Sequence, residues 1–121
     1  MSQLPDGEPA WHDLTFQNPG PRLIRGGQMD ATVRFLEPSS VSVYDYIRAY
    51  TEAGDKFARL QVKEVAAETV RDLPMAIHQR GASHHSELED EFRDFLHERE
   101  DRTVQLTDTA TVLIFERHEL F

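Results

Sequence analysis

The stretch Thr109–Glu116 constrains this chain most, because Val112, Leu113, Ile114 and Phe115 form an unbroken apolar run. A run of that length without polar alternation is a central strand buried on both faces. The rest of the chain must therefore supply strands beside it and a layer on each side of it. The run is far too short to span a bilayer. Met1 to Pro9 is polar and lacks the apolar segment of a signal peptide. With 121 residues and no cysteine, the chain is read as one domain with no disulfide, thiolate nucleophile or cysteine-held metal. A soluble, cytoplasmic protein with no membrane association is the expectation.

Other segments supply the neighbours. Residues 1–10, with Pro5, Gly7 and Pro9, read as a flexible tail, and residues 11–121 as the domain. Trp11–Phe16 alternates as a short strand. Asn18-Pro19-Gly20-Pro21 is a turn leading into a short helix through Leu23, Ile24 and Arg25, which Gly26-Gly27 ends. Ala31–Phe35 alternates most clearly, with Ala31, Val33 and Phe35 toward the core and Asp30, Thr32 and Arg34 facing outward. Strands from about Tyr44 to Tyr50 and Phe57 to Val65 flank Ala53-Gly54-Asp55-Lys56, a hairpin whose loop needs a left-handed residue at Gly54 or Asp55.

A short helix is expected between Glu68 and Ile77. A second helix follows a Ser86–Glu89 capping box and carries a packing stripe of Leu88, Phe92, Phe95 and Leu96. Strands dominate and the helices cluster late. The pattern is α+β with a curved, barrel-like mixed sheet of about five to six strands and short helices at its ends.

The net charge of −9 argues against a conventional basic nucleic-acid binder. Residues 86–101, however, hold eight acids and two arginines, so most of that charge belongs to one helix and its end. Between Pro21 and Arg34 the chain carries Arg22, Arg25 and Arg34 against Asp30 alone. Only Lys56 and Lys63 are lysines. Salt-rich cytoplasms favour such an acid-rich, lysine-poor surface, and a GC-rich genome yields the same arginine bias.

With the elements in this order, the residues resemble the ASCH domain, a branch of the PUA-like β-barrels. Its hallmark is a run Gly-x-Lys-x-x-x-x-Arg after the first short helix. Here the run is Gly27-Gln28-Met29-Asp30-Ala31-Thr32-Val33-Arg34, preceded by Leu23-Ile24-Arg25-Gly26. Leu60–Val65 resembles the second strand pair. Val70-Arg71-Asp72-Leu73, Ser86-Glu87-Leu88 and Thr111–Glu116 resemble the late helices and closing strand. The resemblance covers residues 12–117 and implies a small, single-domain prokaryotic protein, with the composition of a halophilic archaeal source. Two departures stand out: Met29 replaces the motif's lysine, and Tyr44-Asp45 replaces the Gly-Asp pair that opens the third strand.

The family is RNA-binding in character, so the resemblance implies an RNA or nucleotide-like ligand, without cofactor or metal, bound in a cleft around Gly27, Gln28, Thr32 and Arg34. Arg25, Tyr46 and His84 complete the candidate set. Arg34, Thr32 and Gln28 offer a guanidinium, a hydroxyl and an amide to phosphate, ribose or base edges. Arg34 in a salt bridge to Asp30 or Glu116 is the plain structural alternative, as is Thr32 as an ordinary strand residue. Tyr46, Arg48 and Tyr50 on one strand face either stack on unpaired bases or close the barrel core.

Relatives that hydrolyse an acetylated cytidine use a lysine, a threonine and a glutamate, which fall on Met29, Thr32 and about Gly81. A threonine hydroxyl needs a base to take its proton. Met29 cannot serve, and Asp30, two residues from Thr32, stands about 7 Å along the strand. The reading leans against catalysis. His78, His84 and His85 lack the spacing of a zinc site and are expected at helix ends or the surface. Two alternatives remain: a hydrolase acting on RNA or a modified nucleoside, and a protein-interaction module using the acidic helix 86–101. A monomer or weak dimer is expected.

Overall fold

The structure, a computed structural model, describes residues 9–121, so most of the expected tail lies outside the described residues. Five strands form one curled sheet: β1 (Trp11–Phe16), β2 (Ala31–Arg34), β3 (Tyr46–Thr51), β4 (Lys56–Thr69) and β5 (Thr109–Leu120). Their spatial order is β1-β3-β4-β5-β2, parallel between β1 and β3 and antiparallel elsewhere. Three helices accompany them: α1 (Gly20–Arg25), α2 (Leu73–Gln79) and α3 (Glu89–Glu100). This is the expected α+β, half-barrel architecture. No described helix is long and apolar enough to cross a membrane.

The apolar run does lie inside the sheet, between β4 and β2. Its alternate residues feed two cores. Leu113 and Phe115 point into the barrel with Phe16, Met29, Ile47 and Leu60. Val112 and Ile114 point outward, where Ala31 and Val33 join Val70, Leu73, Ile77, Phe92 and Leu96 under the helical layer. Each such side chain contributes about 1.5–3 kcal/mol on burial. Beyond Phe115 the strand pairs with β4 alone and becomes exposed. Strand β4 is long, and register shifts at Arg59/Leu60 and Val62/Glu64 bend it so that one sheet curls around the inner core.

The hairpin turns at Gly54, with φ of 91°. Several boundaries differ from expectation. Strand β3 starts at Tyr46 because Tyr44 is left-handed, φ 79°, at the position where the ASCH pattern carries glycine. Strand β4 runs to Thr69, so the first helical turn begins at Val70. The Ser86–Glu89 capping box does not form. Helix α3 starts at Glu89, and the Glu91 carboxylate accepts the N–H groups of Glu87 and Leu88 instead. Leu88, placed before the helix, is therefore 65% exposed, while Phe92 and Leu96 are buried as expected.

Candidate functional site

A cleft of about 440 Å³ opens between the loop after α1 and the middle of β4 and β5. Gly27 forms its lip. At φ 77° this residue adopts a conformation that side chains disfavour, and a Cβ there would stand 3.2 Å from a guanidinium nitrogen of Arg117. The glycine thus lets Arg117 lie flat against the loop, where its Nη1 donates to the Arg25 carbonyl at 2.8 Å. Lys63 reaches the cleft from β4 and stands 3.8 Å from Glu116. Arg80, at the end of α2, is anchored by the Ala76 carbonyl at 2.8 Å and by Glu64 and Glu68 at 3.2 and 3.1 Å. Asp30 ties the lip to the following loop: its backbone N–H donates to Ser83 O, and its carboxylate accepts the Ser83 N–H.

The cleft therefore sets three cations, two of them guanidiniums, among the carboxylates of Asp30, Glu64 and Glu116, above a partly apolar floor that includes Met29 and Phe115. Such a set suits phosphate oxygens and carbonyl groups. Met29 and Gly81 both line it, so the positions matching the hydrolytic lysine and glutamate carry a thioether and a hydrogen atom. Among the described residues no group of three His, Asp or Glu side chains is placed to hold a metal ion.

The expected site residues fall in five places. Gly27 lines the cleft, whereas Gln28 and His84 line a neighbouring cavity of about 530 Å³. Thr32 was expected to face outward, but its strand face turns toward the barrel interior and it is only 2% exposed. Its hydroxyl accepts a bond from Arg34 Nε at 3.1 Å, and Arg34 Nη2 donates to the Thr15 carbonyl at 2.8 Å. Arg34 also lies over the Phe16 ring, so it ties β2 to β1 and makes no ion pair with Asp30 or Glu116. Burial, reinforced by nearby Arg99, brings its pKa down to about 9.

Arg25 Nη1 donates to the Phe121 carbonyl at 2.6 Å, which holds the chain end. Tyr46 stands on the outer sheet face, its ring stacked 4.8 Å from Trp11. His84 was expected at a helix end or the surface. It is buried instead, 4.3 Å from the His85 ring and 4.8 Å from the Phe92 ring. Lys63, Arg80 and Arg117 were not anticipated. Lys63 is one of only two lysines, the single local signal that it had a particular place.

No protein-family model matches the sequence, and no curated protein matches it. Solved structures do share the fold. A DUF984 protein from Enterococcus faecalis is 13% identical with a TM-score of 0.67, covering 93% of this chain and 77% of its own. A variant of ZmASCH from Zymomonas mobilis is 14% identical with a TM-score of 0.65, over 89% and 68%. An ASCH domain from Lactobacillus crispatus is 14% identical with a TM-score of 0.57, over 89% and 79%. At such identities the likeness establishes the fold, which is of the ASCH type.

Proposed function

We propose that this ASCH-type domain binds single-stranded RNA, or a nucleotide-like piece of it, in the cleft beneath Gly27, and performs no reaction on it. The observation that carries the reading is the cleft's wall. Arg117, Lys63 and Arg80 come from three different elements and converge on one groove in a chain that is acidic as a whole. Guanidinium and ammonium groups over an apolar floor match a ligand that pairs a phosphate with a flat base. Met29 and Gly81 support the non-catalytic reading: the positions matching the related hydrolases' lysine and glutamate carry neither, and Thr32 spends its hydroxyl on Arg34 inside the fold. Gln28 stands next to the lip, and Arg25 serves through its carbonyl, which holds Arg117.

Fluorescence anisotropy of an end-labelled uridine 12-mer tests this directly. Lys63→Glu reverses a charge that makes one weak surface ion pair, so folding should persist while Kd rises about tenfold, the scale of one lost charge-assisted contact. An unchanged Kd removes the cleft from consideration. Turnover of the labelled RNA or of acetylated cytidine by purified protein would replace the binding reading with a hydrolase. Sensitivity to reversal of Glu89, Asp90 and Asp94, with none to Lys63, would replace it with an interaction surface on α3.

A further inference from the structure

The outer face of the sheet carries an aromatic cluster that neither core uses. Strand register sets Trp11, Tyr46, Gln61 and Glu116 in one row across β1, β3, β4 and β5, and Asp13, Arg48, Arg59 and Glu119 in the next. The Trp11 and Tyr46 rings stack at 4.8 Å with 27° between their planes, and Trp11 remains 45% exposed. Guanidiniums flank them. Arg48 stands 5.2 Å from the Trp11 ring, and Arg59 lies 5.6 Å from Tyr46 and 6.0 Å from Trp11. His118 closes the group edge-on to Tyr46 at 5.4 Å. The neighbouring Tyr44 is 67% exposed while held at φ 79°, a left-handed conformation that an ordinary side chain disfavours.

The row also has a direction. It begins at the edge strand and ends at Glu116, which lines the cleft and is paired with Lys63 at 3.8 Å. Three inter-strand steps of about 4.8 Å make a track of roughly 14 Å, enough for two or three successive nucleotides. A partly exposed aromatic pair with guanidiniums set over its rings offers the flat surfaces and cations that unpaired bases stack on. Each guanidinium already faces a carboxylate, Arg48 with Asp13 at 2.6 Å and Arg59 with Glu119 at 3.7 Å. The face is thus nearly neutral, and its attraction is for bases more than for phosphates.

We propose that the Trp11–Tyr46 face is a base-stacking platform for single-stranded RNA, extending the strand held in the cleft. The proposal rests on the reading that the ligand is single-stranded RNA. Trp11 is the only tryptophan of the chain, so its fluorescence reports this face alone. Titration with an adenosine 12-mer should quench it saturably, and a blunt duplex of the same length should not. Tyr46→Val, which keeps a strand-forming apolar residue, should weaken binding about tenfold, the scale of one lost stack. Lys63→Glu should raise Kd by anisotropy yet leave the saturated quench unchanged. Anisotropy that reports binding without any quench overturns the platform and leaves the cleft standing. Loss of both signals overturns both readings. Equal quenching by the duplex also overturns the platform, because a duplex has no unpaired base to stack.

Discussion

Asp45 organises the start of the sheet with one carboxylate. It accepts the Ala10 N–H at 3.0 Å, the Ser42 N–H at 2.9 Å and His12 Nε2 at 2.8 Å. Burial by itself raises its pKa, but the bonds from His12, Ser42 and Ala10 outweigh burial and hold it below the usual carboxylate range. Its contribution is complete above the ordinary carboxylate pKa and disappears only in stronger acid. His84 behaves oppositely in charge and dominates a milder window. The Ser86 N–H donates to its Nδ1 at 3.0 Å, so the neutral ring carries its proton on Nε2, a buried atom without a partner. Burial first, then His85, Arg99 and Arg34, push its pKa down to about 3.

The unfolded chain therefore takes up a proton near pH 6.5 that the folded chain refuses. The contribution of His84 should be complete above that pH and fall by at most about 1.4 kcal/mol per pH unit below it. His85, whose pKa is also lowered by burial, acts in the same direction. Urea unfolding at pH 7.5, 6 and 5 checks this: the midpoint should drop with acid, and His84→Gln should flatten the slope. A midpoint indifferent to pH would mean His84 is not held neutral. At this scale the sequence was only partly legible. The odd Tyr44-Asp45 pair stood out against the ASCH pattern, whereas nothing local marked His84 as buried.

Among the elements, the open seam of the half-barrel is the feature that most needs explaining. Strands β1 and β2 are the two edges of the sheet, and unpaired edges invite association with other chains. Arg34 bridges them through Thr15 and Thr32, backed by the Phe16 ring. Its removal leaves two polar groups without partners, so Arg34→Ala should cost about 2–3 kcal/mol, and Arg34→Lys, which lacks the planar fork, about half of that. Chemical denaturation measures both, and hydrogen exchange should show β1 amides opening first in the alanine variant. A loss below about 0.5 kcal/mol would show that other contacts close the seam. The motif ending in Arg34 was readable from the chain, but its partner Thr15 was not, because no periodicity links two edge strands. Helix α3 shows the same boundary between local and global information: Phe92 and Leu96 followed from spacing, while Leu88 fell outside because Glu91, not Ser86, organises the helix start.

For the molecule as a whole, charge is divided by place. Residues 86–101 carry a net −6 of the total −9, on α3 and its end, while the cleft balances Lys63, Arg80 and Arg117 against Asp30, Glu64 and Glu116. Mutual repulsion along α3 should ease with salt, and phosphate contacts should weaken with it. The thermal midpoint should therefore rise between 0.1 and 2 M KCl while RNA affinity falls, with a log–log slope of about −2 for three cations on a single strand. A midpoint that ignores salt would refute salt adaptation as the reason for the acidic surface, and a slope near zero would exclude phosphate from the ligand. The order of the elements, the buried central strand, the hairpin at Gly54 and the burial of Phe92 and Leu96 on α3 were determined by the sequence itself, because each rests on a local period or a turn residue. The cleft, the platform and the task of Arg34 were decided only by the tertiary structure. Strand order β1-β3-β4-β5-β2 brings together residues far apart in the chain, and that register is set by how two cores pack at once rather than by any pattern within one segment.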